Sequence, residues 1–177
     1  STGVVYDVRS EQVFRDFKVS GITVPPGRYD FSETEYSFRY NRAAPISFGM
    51  SATAGGFFGG DIVTFRPSLR ARYGETLNLS LSYSRNDITL PNGSTVTNLT
   101  RFRAAYNVSP RLFVQALVQH NDSARLWSSN IRFGWLQDAN TGLFVVFNDI
   151  EGISDYEVTG AGRSLILKFS YLFDVLN

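Results

Sequence analysis

Hydrophobic and polar residues alternate along most of the chain, and helical periodicity is nearly absent. In Leu77–Arg85, leucines and one tyrosine occupy every second position up to Tyr83, with asparagine and serine between them. The segments Ile46–Ala54, Val63–Tyr73 and Leu165–Phe173 repeat this pattern. Successive side chains of a β-strand point to opposite faces of a sheet, so each segment predicts a strand with one apolar and one polar face. The chain is therefore predicted to be all-β.

Ten strands are predicted, bounded by turn-forming residues. They run about Val4–Val8, Tyr29–Asn41, Ile46–Phe57, Asp61–Tyr73, Thr76–Ile88, Val96–Val108, Arg111–Asn121, Arg125–Leu136, Gly142–Asp149 and Arg163–Phe173. Tight turns such as Tyr73–Glu75 contrast with longer polar loops at Gly21–Arg28, Thr89–Thr95 and Ile150–Gly162. Short turns at one end and longer loops at the other are typical of transmembrane barrels. We therefore expect an antiparallel transmembrane β-barrel of about ten strands, forming a single domain over residues 1–177 with its short turns on the periplasmic side.

The strands that run toward the short turns end in an aromatic residue on their apolar face. These five residues are Tyr40, Tyr73, Tyr106, Trp135 and Tyr171. They recur at intervals of 29 to 36 residues, which is the length of one pair of strands. Tyr and Trp concentrate at membrane–water interfaces, so the spacing predicts an aromatic belt on a lipid-facing surface. Tyr and Trp also favour strands in soluble proteins, and alternation alone fits a soluble β-sandwich as well.

Charged residues lie on the polar face of the same strands, which in a barrel is the lumen. They are Glu33, Glu35, Arg39, Arg66, Arg70, Arg72, Arg101, Arg103, Arg132 and Lys168. A barrel of about ten strands is narrow enough for such side chains to fill it. One interpretation is a structural Arg/Glu network, because buried charges need partners, with an ion pair of Glu33 or Glu35 with Arg39 as the expected example. The alternative is an anion-selective or substrate-lining surface.

Composition narrows the possible classes of protein. The chain has 177 residues, a formal net charge of +1, one histidine and no cysteine. The small net charge gives no reason to expect binding to nucleic acid, and without cysteine there are no disulfides or Cys-based zinc sites. No segment approaches the ~20 apolar residues of a transmembrane helix. A mean hydropathy of −0.11 is compatible with a barrel, because only every second strand residue faces lipid.

Several segments resemble a known family. They are Val24–Phe31 (Val-Pro-Pro-Gly-Arg-Tyr-Asp-Phe), Asn86–Asn98, Tyr106–Phe113 continuing into Ala116–Asn121, Ser129–Trp135, Gly142–Asn148 and Arg163–Phe173. Together they resemble the C-terminal domain of DUF5916 proteins over most of the chain from Gly21 onward. The resemblance implies a Gram-negative outer-membrane β-barrel whose members carry an upstream carbohydrate-binding-like domain. Members are far longer, so it also implies the C-terminal part of a larger barrel, or a short relative. The chain departs from the family at Asp174–Asn177, which follow the expected terminal Tyr-Leu-Phe.

Few residues offer catalytic chemistry. His120 is the only histidine, so a metal site built on a histidine pair is excluded. It lies at the loop end near Asn121, Asp122 and Ser123, where a Ser/His/Asn arrangement or an Asp/His dyad with Asp87 or Asp149 could be assembled. Glu33 and Glu35 are two residues apart on one strand face and could also form a glycosidase pair, but an ion pair with Arg39 is the preferred interpretation. Because no nucleophile–base pair is indicated, we expect no enzymatic activity, no cofactor and no metal.

The expected function is that of an outer-membrane β-barrel protein in a Gram-negative bacterium, with the lipid bilayer as its partner. It would act as a membrane anchor, a porin-like conduit or a structural subunit. An alternative is a partner-binding subunit that contacts another protein through the loops Thr89–Thr95 and Ile150–Gly162. A soluble β-sandwich or lipocalin-like binder, or an outer-membrane hydrolase, is a further alternative.

Overall fold

A computed structural model describes residues 1–41, 43–137, 141–152 and 162–171. Within these ranges the chain forms twelve strands and no helix. The strands are β1 (Thr2–Val13), β2 (Phe17–Val19), β3 (Ile22–Val24), β4 (Gly27–Tyr40), β5 (Ile46–Phe57), β6 (Gly60–Tyr73), β7 (Leu77–Leu90), β8 (Gly93–Ser109), β9 (Leu112–Asn121), β10 (Leu126–Leu136), β11 (Gly142–Gly152) and β12 (Gly162–Ser170). The prediction of an all-β fold is confirmed.

Ten of these strands form one continuous antiparallel sheet. Its order is β1-β4-β5-β6-β7-β8-β9-β10-β11-β12, and β2 and β3 form a separate hairpin. The outer strands β1 and β12 do not pair with each other within the described residues, so the sheet is open. The ten strands lie in one sheet rather than in the two packed sheets of a β-sandwich.

Cross-strand pairing keeps the two faces of the sheet distinct. Tyr73 on β6 pairs with Leu77 on β7, which pairs with Tyr106 on β8. On the other face, Arg70 pairs with Ser80. We call these the apolar face and the polar face. Because paired residues point to the same side of a sheet, the alternation in each strand adds up to one apolar and one polar surface.

The apolar face is not covered by other parts of the described chain. Tyr73 is 79% exposed, Tyr40 63% and Leu167 65%. The buried hydrophobic core of the described residues is only a small cluster, formed by Val13, Val24, Phe58, Ile88 and Leu90. The exposed apolar surface of the described residues is therefore far larger than their buried core.

The buried cluster forms where the β2–β3 hairpin folds over the polar face at one end of the sheet. Phe58, in the turn between β5 and β6, lies 5.1 Å from the ring of Phe17 and 5.4 Å from that of Tyr29, both edge-on. Asn92 Nδ2 donates a hydrogen bond of 3.0 Å to the carbonyl oxygen of Thr23 and ties the hairpin to the next turn. We call this hairpin and the buried cluster beneath it the cap.

Two of the predicted long loops are largely strand. The prediction of a loop at Thr89–Thr95 is wrong: β7 continues to Leu90 and β8 begins at Gly93, leaving a two-residue turn. Gly93 has a φ of 148°, which favours glycine, and Pro-Asn-Gly is a typical tight-turn sequence. The Gly21–Arg28 prediction is also wrong, because the segment contains β3 and the start of β4. Residues 153–161, the larger part of the third loop, lie outside the described residues.

The contrast between short turns and long loops is weaker than expected. At the cap end, β5 and β6 are joined by residues 58–59 and β7 and β8 by residues 91–92. Both connections are as short as residues 110–111 at the opposite end. The length of the connections therefore does not distinguish the two ends of the sheet.

Candidate functional site

The predicted belt residues lie on the exposed apolar face. Their positions can be compared along rows, where a row is the set of residues that pair with one another from strand to strand. Tyr73 and Tyr106 belong to one row through Leu77. The row through Tyr40 meets β6 at Leu69, four residues before the belt residue of that strand. From β6 to β8 the belt follows one row of paired residues, whereas from β4 to β6 it moves four residues toward the short turns.

The same drift continues on the second half of the sheet. The row through Tyr106 meets β10 at Phe133, two residues before Trp135. The row through Trp135 meets β12 at Phe169, two residues before Tyr171. From β4 to β12 the belt therefore moves toward the turns by about one residue per strand, measured against the pairing direction.

The other edge of the apolar surface is marked by polar and amphipathic groups. Arg85 and Asp87 form an ion pair of 3.2 Å on the apolar side of β7, and Arg163 and Asp149 form one of 3.1 Å between β12 and β11. On β10, Trp127 lies eight residues before the belt residue of the same strand, about 26 Å along the strand. The apolar surface is therefore a band bounded on both sides.

The polar face carries a concentration of arginines over β4–β8. One row runs Arg39, Gly49, Ser68, Ser82 and Arg101. The adjacent row runs Ser47, Arg70, Ser80 and Arg103. Together these rows line a cavity of about 700 Å³. We call it the arginine cleft, after Arg39, Arg70, Arg101 and Arg103, whose side chains rise above a floor of serine and glycine.

The remaining predicted lumen residues lie around this cleft. Arg66 and Glu35 line an adjoining cavity of about 440 Å³ that shares Arg39 and Arg101 with the cleft. Arg132 lines a smaller cavity with Arg103. The other three are placed by their strand pairs, Glu33 with Gly55, Arg72 with Asn78 and Lys168 with Phe144.

The expected Arg/Glu pairing does not occur on this face. The ion pairs among the described residues are Arg9–Asp7, Arg28–Asp30, Arg85–Asp87 and Arg163–Asp149. The prediction that Glu33 or Glu35 pairs with Arg39 is therefore wrong for these side chains. Neighbouring carboxylates are few on β4–β8, so most of the arginines face open space instead.

Amides and hydroxyls join the strands elsewhere on the polar face. Asn86 accepts a hydrogen bond of 3.0 Å from Thr64 Oγ1 and donates one of 3.0 Å to Thr97 Oγ1. Asn148 receives the amide of Asn130 and donates to Ser164 Oγ at 3.1 Å. These ladders satisfy polar groups across three strands at a time, so this part of the face is structural.

His120 has no catalytic partner in the described structure. Its ring lies 4.7 Å from that of Trp127, on the apolar side of the sheet. Both aspartates considered for a dyad bind arginines instead: Asp87 accepts from Arg85 and Asp149 from Arg163. The contact that the structure shows for the His120 ring is therefore aromatic packing, with no acidic partner beside it among the described residues.

Neither a metal site nor a helix that could span a membrane is found among the described residues. No group of three or more His, Cys, Asp or Glu residues is placed to hold a metal ion. No helix in this part of the chain is long and apolar enough to cross a membrane.

Comparison with known proteins adds no assignment. No protein-family model matches the sequence, and no curated protein matches it. The resemblance to DUF5916 proteins therefore stays an expectation from the sequence.

Sequence reasoning missed the cap and the separation of the arginines from carboxylates. The only local signal for the cap was the apolar content of Phe17–Val24, which is interrupted by Ser20 and Gly21. The alternation along each strand already placed the cleft arginines on the polar face. The serines between them could be recognised as its floor only from the register of five strands.

Proposed function

We propose that the ten-stranded sheet closes between β1 and β12 into a β-barrel that spans a bacterial outer membrane, where it acts as a membrane anchor or structural subunit. The observation that carries this proposal is the exposed apolar band with its five-residue aromatic belt. A surface of this kind would be unfavourable in water and favourable in lipid. The ten sheet strands are 9 to 17 residues long, enough for the roughly 9–11 residues that a tilted strand needs to cross the hydrocarbon.

The register of the sheet fixes the offset that each pairing of β1 with β12 would produce. The row through Tyr6 on β1 meets β8 at Val96. The row through Leu167 on β12 meets β8 at Tyr106, ten residues further along. Strands of a closed barrel tilt by about 35–45°, which for ten strands about 4.8 Å apart requires an offset of roughly 10 to 14 residues. Pairing of Tyr6 with Leu167 would give an offset at the lower end of this range.

Closure with such an offset makes a specific register prediction. Leu167 would lie opposite Tyr6, Val8 or Ser10, for offsets of roughly 10, 12 or 14 residues. Each of these residues shares the apolar side of β1 with Val4, which pairs with Tyr36. Either outer strand would then cover the unpaired backbone groups of the other, which removes both open edges.

The slope of the aromatic belt agrees with the same tilt. If the strands tilt by about 35–45° from the barrel axis, residues at one membrane depth do not lie on one row. Their positions shift along the strands by roughly 1.0 to 1.4 residues for each strand crossed. The belt from Tyr40 to Tyr171 departs by about one residue per strand. This agreement is stronger support for a position at the membrane–water interface than the location of these residues at strand ends.

The cap favours an anchor or structural role over an open, porin-like conduit. Phe58, Ile88 and Leu90 are buried beneath the β2–β3 hairpin on the polar side of the sheet. In a closed barrel this cluster would obstruct one end of the lumen. The sequence resemblance to the barrel domain of DUF5916 proteins points to the same membrane architecture.

Engineered cysteine pairs test closure, and the absence of native cysteine makes the test clean. Leu167→Cys is combined in turn with Tyr6→Cys, Val8→Cys or Ser10→Cys, and with Thr2→Cys as the matched control on the same side of β1. After folding into phospholipid vesicles at low protein concentration, one of the first three pairs should form an intramolecular disulfide and the control should not. Cross-linking by none of the three would overturn closure between β1 and β12.

Heat-modifiable migration in dodecyl sulfate gels tests the membrane part separately. The folded form should appear only after detergent or lipid is supplied, and boiling should convert it to the unfolded mobility. A stably folded, soluble protein in plain buffer would overturn the membrane proposal, whatever the cross-linking result.

A further inference from the structure

We propose that the arginine cleft is a binding site for a polyvalent oxyanion, a small molecule or headgroup that carries two or more phosphate, sulfate or carboxylate groups. The site goes beyond the proposed membrane role, because it is formed within β4–β8 and does not need the sheet to close. Its four guanidinium groups, from Arg39, Arg70, Arg101 and Arg103, line one cavity without a carboxylate.

No carboxylate among the described residues forms an ion pair with the arginines of the cleft. The side chains of Arg39, Arg70 and Arg103 take part in no ion pair or hydrogen bond among the described residues. Arg101 donates its Nε to Gln119 Oε1 at 3.1 Å, which orients the guanidinium and leaves its terminal nitrogens available. Four like charges on one face repel each other, so a bound anion would relieve a cost that the protein alone does not remove.

The floor of the cleft is suited to close approach by oxyanions. Between the arginines lie Ser80 and Ser82, whose hydroxyls can donate to anion oxygens. Ser68 lies beside them, and its hydroxyl donates to the carbonyl oxygen of Gly49 at 3.3 Å. Gly49 completes the row between Arg39 and Ser68, and a Cβ at this position would lie 3.0 Å from Ser68 Oγ. Small residues thus keep the floor low while the arginines form the walls.

The spacing of the arginines favours a ligand with more than one anionic group. Arg101 and Arg103 are two residues apart on one strand, about 7 Å, and Arg70 and Arg103 are separated by one intervening strand, about 10 Å. One tetrahedral oxyanion cannot contact guanidiniums on all sides of a cavity of about 700 Å³. A guanidinium binds phosphate, sulfate and carboxylate through the same two-point geometry, so the cleft selects for charge number before group identity.

Calorimetric titration of the folded 177-residue chain with sodium tripolyphosphate tests the site. Citrate and orthophosphate serve as the polycarboxylate and single-phosphate probes. We expect saturable binding of tripolyphosphate that is weaker at higher salt, and at least tenfold weaker binding of orthophosphate. Replacing Arg70 and Arg103 together by glutamine should weaken tripolyphosphate binding by tenfold or more. Arg28→Gln, which removes an arginine paired with Asp30 outside the cleft, should leave it unchanged.

A second measurement keeps all four arginines in place. Ser82→Cys puts a thiol on the floor of the cleft, and Ser128→Cys puts one on the same face of β10 outside it. Tripolyphosphate should slow labelling of the first cysteine by a charged thiol reagent several-fold and leave the second unaffected. Equal protection of both cysteines, or equal loss of binding in the Arg28 and the Arg70/Arg103 variants, would overturn the site. Both measurements use whichever solvent folds the protein, so their failure is distinguishable from failure of the membrane proposal.

Discussion

Tyr73 and Tyr106 lie on a single row of the sheet, each paired with Leu77 between them, and both rings are exposed on the apolar face. The two residues are on strands that run in the same direction, and both lie opposite the same residue of β7. From β4 to β12 the belt residues drift from the rows of paired residues by about one residue per strand on average, close to the drift that the proposed barrel would require. The apolar band and its boundary are thus properties of the register, which makes them testable one position at a time.

A charge placed in the middle of the apolar band should be costly only in lipid. Leu81 pairs with Leu69 and Phe102 within the band. Leu81→Arg should lower the free energy of unfolding in phospholipid vesicles by about 2–4 kcal/mol, whereas Tyr73→Arg at the boundary should cost about 0–1 kcal/mol. Urea titration of the vesicle-bound protein measures both. Equal, small costs at the two positions would contradict a lipid-facing band.

Phe113 should be the partner that makes Gly134 necessary. The two residues pair across β9 and β10, and a Cβ built at Gly134 contacts Phe113 Cζ and Cε1. Gly134→Ala should therefore destabilise the fold by about 1–3 kcal/mol through overpacking. In Gly134→Ala/Phe113→Leu the alanine should cost less than it does alone, because the smaller side chain vacates the space. Urea unfolding of the four members of this double-mutant cycle gives the coupling, and additive costs would contradict it.

The ten-strand sheet followed from local alternation, whereas the cap depended on contacts far apart in the sequence. A strand such as Leu77–Leu90 repeats its two-residue period enough times to be recognised alone. The strands Phe17–Val19 and Ile22–Val24 have three residues each, too few to show a period. They are stabilised by Phe58 from the β5–β6 turn and by Leu90 from β7. For the same reason the positions of the arginines were predictable, but their lack of carboxylate partners was not. Parity places a side chain on a face, while its contacts depend on the register of several strands.

Asn86 should contribute more to stability than its position on an open polar face suggests. It bonds Thr64 on one side and Thr97 on the other, and Thr64 is only 3% exposed. Asn86→Ala leaves the Thr64 hydroxyl without that partner, which should cost about 1–3 kcal/mol. Asn78→Ala, on the same face of the same strand but without such a ladder, is the matched control and should cost less than about 0.5 kcal/mol. Urea unfolding curves compare the two, and similar costs would show that the ladder contributes little.

The cap should be held in place mainly by Phe58. Its side chain is 7% exposed and its ring contacts those of Phe17, Tyr29, Phe31 and Phe57. Phe58→Ala should cost about 3–5 kcal/mol if the whole fold senses the loss. Phe14→Ala, a control in the same region with 84% exposure, should change stability by less than about 0.5 kcal/mol. Hydrogen exchange on the β2 and β3 amides distinguishes a local from a global effect, since a detached hairpin loses protection while the ten-stranded sheet retains it. Unchanged protection of the hairpin in Phe58→Ala would show that the ring does not hold the cap. That result would also remove the main structural reason to regard one end of the polar surface as closed.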